Sequence, residues 1–171
     1  MVTPFDPKKE IDYNATKQLI EFLIQGGANF LVVLGTTGEA ATLSEKEKKA
    51  LVKFVVKQAG KRVPIIVGVG GNSTAHVIEN LDSYDYDDID AILSVTPYYN
   101  KPSQKGLELH FKEIASKSPV PVILYNVPGR TGVNMTAETT LKLAQVPNII
   151  GIKEASGNLN QLSYILRDKP E

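Results

Sequence analysis

The sequence predicts an α/β fold of repeated βαβ units, on two observations. Short apolar, β-branched runs at residues 30–34, 64–69, 91–95, 120–125 and 149–152 recur roughly every 30 residues. Each run is nearly continuously hydrophobic, which suits parallel strands covered on both faces, and the intervening segments carry helical spacing. Strands alternating with helices at this interval give right-handed βαβ units. An open doubly wound sheet and part of a (β/α)8 barrel both satisfy the pattern.

Each element follows from its own residues. Val2-Thr3 is expected as a first strand, cut short. A helix over 12–25 places Leu19, Phe22 and Leu23 on one side and stops at Gly26-Gly27. The next begins at Ser44-Glu45-Lys46-Glu47, a capping box in which Ser44 and Glu47 satisfy each other's backbone amides. Leu51, Phe54 and Val55 form its apolar stripe, and Gly60 ends it. Further helices are expected after Ser73, Ser103, Thr136 and Asn158, the last burying Leu159, Leu162, Ile165 and Leu166. The reading is six strands in one domain over residues 1–171, with no linker. A closed eight-stranded barrel needs ~250 residues. If the chain is barrel sequence, strands seven and eight and the C-terminal helices are absent, and two edges are unpaired. The expectation is a portion of a longer polypeptide.

Composition narrows the function. The chain has 171 residues, with 19 Lys+Arg balancing 19 Asp+Glu for a net charge of zero. That argues against a general nucleic-acid binder, whose affinity needs clustered cations. There are no cysteines and only two histidines, His76 and His110. Disulfides, thiolate metal sites and cysteine nucleophiles are excluded, and histidine metal centres are poorly supplied. No apolar run approaches the ~20 residues of a membrane span, and the start lacks the parts of a signal peptide. The expected setting is the cytoplasm.

Candidate chemistry collects at the C-terminal ends of the strands, where α/β sites are built. Lys153 ends the run Ile149-Ile150-Gly151-Ile152 and shares a face with Gly151, which leaves room beside it. Burial there would disfavour the ammonium and enlarge the free-amine fraction that attacks carbonyls to form a Schiff base. Tyr125, at the end of the preceding strand, is expected to point the same way, where its phenol can move protons during imine formation. Thr36-Thr37, between glycines, offers hydroxyls and open amides for a carboxylate. Arg130, in Pro128-Gly129-Arg130-Thr131-Gly132, can bind a carboxylate through two hydrogen bonds. Other features are set aside. Gly68-Val69-Gly70-Gly71 lacks the lysine of a phosphate loop. The acidic stretch Asp82, Asp85, Asp87, Asp88, Asp90 lacks the pattern of a calcium loop and reads as a solvated charge run. His76 and His110 read as surface or capping residues.

At these residues the chain resembles the dihydrodipicolinate synthase family of pyruvate-dependent Schiff-base aldolases. The motifs are Val2-Thr3-Pro4-Phe5, Gly35-Thr36-Thr37-Gly38-Glu39, Gly68-Val69-Gly70-Gly71-Asn72, Thr96-Pro97-Tyr98-Tyr99-Asn100, Tyr125-Asn126-Val127-Pro128-Gly129-Arg130-Thr131 and Gly151-Ile152-Lys153-Glu154-Ala155, in the family's order. The resemblance implies a (β/α)8 TIM barrel, here about its first six βα units. It implies a lyase condensing pyruvate with L-aspartate-4-semialdehyde to 4-hydroxy-tetrahydrodipicolinate, in diaminopimelate and lysine biosynthesis. Lys153 would carry pyruvate as an imine. Tyr125, Thr36 and Tyr99 would form the proton relay, with Tyr99 reaching in from a neighbouring subunit. Thr37 would hold the pyruvate carboxylate and Arg130 that of the aldehyde substrate. No metal or organic cofactor is implied, and the assembly would be a homodimer or homotetramer. The alternatives are an N-acetylneuraminate or keto-sugar-acid lyase, which keeps the imine and changes the aldehyde, and a carboxylate-binding barrel without turnover.

Overall fold

The computed structural model describes residues 1–170. Five strands alternate with helices along the chain: β1 (Leu31–Val33), β2 (Ile65–Gly68), β3 (Ala91–Val95), β4 (Val122–Asn126) and β5 (Ile149–Glu154). The helices are α1 (Tyr13–Gln25), α2 (Glu45–Ala59), α3 (Thr74–Leu81), α4 (Gln104–Lys117), α5 (Pro128–Thr131), α6 (Ala137–Leu143) and α7 (Leu159–Asp168). The chain divides into two compact units. One is Met1–Gly68 with Ser83–Ala91, the other Val69–Asp82 with the residues from Ile92 on.

In the first unit β1 and β2 pair in parallel, Leu31 opposite Ile65 and Val33 opposite Val67. The expected first strand is not there. Val2-Thr3 makes no ladder: the Met1 amino group donates to the Val32 carbonyl at 2.8 Å, and the Thr3 hydroxyl turns to Gly38 O at 2.7 Å. Asp12 caps α1 and Gly26 ends it, but the face differs from the one expected. Thr16 and Ile20 are buried, whereas Phe22 is 72% exposed. The capping box of α2 is present, Ser44 Oγ accepting from Glu47 N at 3.3 Å and Glu47 Oε2 from Ser44 N at 2.8 Å. Leu51 and Val55 are buried, and Gly60 ends the helix in the left-handed region. After β1 the backbone turns through Leu34 at φ 59°, which lays the Leu34 carbonyl over Gly68. The acidic run is exposed as expected at Asp82, Asp85, Asp87, Asp88 and Asp90; within it Asp88 pairs with Lys61 at 2.7 Å, and Asp90 Oδ2 accepts from Ile65 N at 2.7 Å.

In the second unit β3, β4 and β5 pair in parallel. Each expected N-cap is in place: Ser73, Ser103, Thr136 and Asn158 accept from the amide three residues on. His110 is not a surface residue. It is 5% exposed on α4, with Nδ1 2.8 Å from the Thr74 hydroxyl. The apolar stripe expected to bury α7 is also displaced. Gln161 and Ile165 face inward, while Leu159 is 74% and Leu166 57% exposed. Gln161 sits inward beside Ile165, and its amide bonds Asn134, Met135 and Glu154 there.

Candidate active site

The second unit sets four of the sequence-predicted residues. β4 delivers Tyr125, which is 5% exposed, and β5 delivers Lys153 directly opposite it in the ladder. Strand alternation puts the two side chains on one face. The Lys153 Nζ lies 4.2 Å from the centroid of the Tyr125 ring, a cation–π contact. One expectation fails: Lys153 is exposed rather than desolvated. β5 pairs with β4 along one edge, and no strand pairs with its other edge among the described residues.

β4 runs on into α5, which carries Arg130. This turn is pinned from below. The buried Thr131 hydroxyl has two carbonyl acceptors within reach of its one proton, Val133 O at 3.0 Å and Val127 O at 3.2 Å, and stands 3.4 Å from the Thr96 hydroxyl. Gly132 closes α5 at φ 72°, donating to Pro128 O. Arg130 itself is exposed at the rim. Tyr99 follows β3 on a loop held by Asn100, whose amide donates to Asn72 O at 3.0 Å. It has φ 71° and is 90% exposed. The structure therefore brings Lys153 and Tyr125 together and leaves Tyr99 pointing into solvent. Thr36 and Thr37 lie in the first unit, exposed on a single turn of 3-10 helix after β1. There the preceding Leu34 and the following Glu39, at φ 54°, both adopt left-handed backbone.

A family model for dihydrodipicolinate synthetases matches residues 1–171. The chain belongs to the dihydrodipicolinate synthetase family. It is 52% identical over 171 residues to the 4-hydroxy-tetrahydrodipicolinate synthase of Parabacteroides distasonis, an overlap of 99% of this chain and 58% of that protein. Among solved structures, the dihydrodipicolinate synthase of Bacillus anthracis superposes with a TM-score of 0.96 at 44% identity, covering 100% of this chain and 59% of that one. The dihydrodipicolinate synthase of Acinetobacter baumannii, solved with pyruvate, gives 0.91 at 43% identity, covering 99% and 60%. The chain thus spans somewhat over half the length of these relatives. Its fold class is that of the family, part of a (β/α)8 barrel.

Directly behind Lys153 lies a set of side chains that sequence reasoning did not single out. Glu154 and Asn126 are the next ladder pair, on the opposite face from Lys153 and Tyr125. Asn126 Nδ2 donates to both Glu154 oxygens, at 3.3 and 3.0 Å. Gln161 Nε2 adds a bond at 2.9 Å and Ser156 N one at 2.7 Å. Burial raises the Glu154 carboxyl pKa, but the hydrogen bonds from Asn126, Ser156 and Gln161 outweigh it and hold the group below its ordinary value. The available signal was positional. Both residues follow a candidate site residue at a strand end, where an uncharged asparagine and a carboxylate have no reason to be core.

Proposed function

We propose that the protein is a class I aldolase-type lyase, a 4-hydroxy-tetrahydrodipicolinate synthase. The observation that carries the reading is the lysine amine stacked on the tyrosine ring across β4 and β5 in a member of this family. The amine of Lys153 attacks the keto carbon of pyruvate, and water leaves to give a protonated imine. The imine draws electrons from the methyl group, a proton departs, and the enamine carbon bonds to the aldehyde carbon of L-aspartate-4-semialdehyde. That substrate's amine then displaces Lys153 from the imine carbon and closes the ring. Tyr125, Thr36 and Tyr99 move the protons, Thr37 holds the pyruvate carboxylate, and Arg130 holds the carboxylate of the aldehyde substrate. The lysine imine is the electron sink, so the chemistry asks for no metal or organic cofactor.

In the same reading residues 1–171 are one incomplete barrel domain, and the whole protein works in the cytoplasm as a homodimer or homotetramer. The pairing of Tyr125 with Lys153 and the exposure of Tyr99 support it. Among the described residues no helix is long and apolar enough to cross a membrane.

Borohydride reduction of the whole protein with pyruvate tests the reading. Mass spectrometry is expected to find the reduced adduct on the peptide holding Lys153. Lys153→Ala is expected to abolish both adduct and turnover. No adduct on the unmodified protein would overturn the assignment. An adduct with turnover only on sialic or sugar-acid aldehydes would move it to another pyruvate lyase.

A further inference from the structure

We propose that Asn126, Glu154 and Gln161 form a positioning device that selects the one β4–β5 register in which Lys153 meets Tyr125. The inference rests on the reading of Lys153 as the imine-forming residue. The register is not the simplest one. At the start of the pair Val122 stands opposite Ile149, but Ile123 stands opposite Gly151, so Ile150 is left over as a bulge. Without the bulge every later pair slips by one. Ile152 would then face Tyr125, and Lys153 would lie beside Asn126, on the face of the sheet away from Tyr125, because side chains alternate. A bulge next to a functional side chain re-aims it, and something must favour it over the plain ladder.

The cluster supplies that preference. Three donors converge on the position opposite Asn126: Asn126 Nδ2, Gln161 Nε2 and Ser156 N. An anion there, Glu154, satisfies them all. In the slipped register the cation of Lys153 would enter the same place and face the Asn126 and Gln161 amide donors, the nearby acceptors Asn134 Oδ1 and Met135 O being taken up already by those same amides. The donors are themselves fixed. Asn126 is fully buried, accepts from Met135 N at 3.0 Å and donates to Asn134 Oδ1 at 2.8 Å. Gln161 accepts from Asn134 Nδ2 at 2.9 Å and donates to Met135 O at 3.1 Å. Asn134 and Met135 lie on the segment returning from α5, so the cluster that sets the register also ties down the turn carrying Arg130. Buried polar networks satisfied in this way specify one arrangement among near alternatives.

Glu154→Gln in the whole protein tests this. The new amide must turn an NH2 toward a donor, while the size stays the same. The readout is the rate of borohydride-trapped pyruvate adduct on Lys153 against pyruvate concentration, normalised to folded protein. The saturating rate is expected to fall about 100-fold, as a misplacement near 1 Å does, with the half-saturating concentration little changed. Gln161→Met, which removes a single donor, is expected to move the same way by a smaller factor, and it decides the matter if Glu154→Gln does not fold. Wild-type rates in the folded variants would overturn the positioning role while leaving Lys153 as the imine residue. So would a loss carried wholly by the half-saturating concentration, or failure of both variants to fold, which marks a purely structural cluster. Absence of any adduct on the unmodified protein would instead remove the reading on which the proposal stands.

Discussion

Tyr125 is held against Lys153 by its ladder position and by its ring, so its hydroxyl and its packing can be separated. Tyr125→Phe keeps the face on which Nζ rests at 4.2 Å and removes only the phenol oxygen. Turnover is expected to fall about 100-fold or more, the usual scale for losing a positioned proton-transfer group, with the melting temperature little changed. Steady-state kinetics beside a thermal melt check it. Equal turnover in the variant would remove Tyr125 from the proton relay. The sequence made Lys153 and Tyr125 legible because a polar residue closing an apolar strand is conspicuous and alternation fixes its face. The same alternation could not show Ile150 bulging out, so the partnership of Glu154 with Asn126 and Gln161 stayed hidden. The exposure of Lys153 was equally out of reach, because burial at an edge depends on what pairs with the strand and not on the strand itself.

At the scale of elements, helix starts were the most readable feature, because an N-cap is a local bargain between one side chain and a nearby amide. Faces were less so. The stripes read for α1 and α7 include Phe22, Leu159 and Leu166, all of which are exposed. Periodicity locates a stripe, but polar side chains such as Thr16 and Gln161 compete for the inward position when they bring hydrogen bonds. Gly68 shows a constraint that no pattern carries. A Cβ there would lie 2.1 Å from the Leu34 carbonyl oxygen, which is backbone and cannot swing aside. Gly68→Ala is expected to cost about 3 kcal/mol, read from denaturant midpoints. His110 gives α4 a pH dependence. Burial pushes its imidazole down from 6.5 to about 4. The unfolded chain therefore binds a proton at a pH where the folded chain does not. Stability is retained at neutral pH and drains away as pH falls from about 6.5 to about 4, by at most roughly 3 kcal/mol. His110→Gln keeps a partner for Thr74 and does not titrate. Urea melts at pH 7 and 4.5 are expected to show a smaller acid loss in the variant than in the wild type, the carboxylates being common to both. Equal losses would mean that His110 does not contribute.

For the whole molecule the alternation of strands and helices was enough to give the class, since βαβ units follow from spacing and hydrophobicity alone. Tyr99 is what a single chain leaves unexplained. A large aromatic side chain at φ 71° is strained, at a cost of order 1–3 kcal/mol, yet it is 90% exposed. Strain of this kind persists where function uses it, and a second copy of the protein that receives the ring into its own site gives it a use. The consequence is separable from simple loss of activity. Tyr99→Phe and Lys153→Ala each disable the protein in this reading, one by withholding the phenol from a neighbour and the other by removing the amine. Mixed and allowed to exchange subunits, the two variants assemble one site with an intact lysine and a tyrosine from its partner. Turnover absent from either variant alone is expected to return on mixing, to grow with the time allowed for exchange, and to fail when the proteins are crosslinked beforehand. If sedimentation shows that subunits have exchanged and turnover does not return, Tyr99 serves its own chain or none.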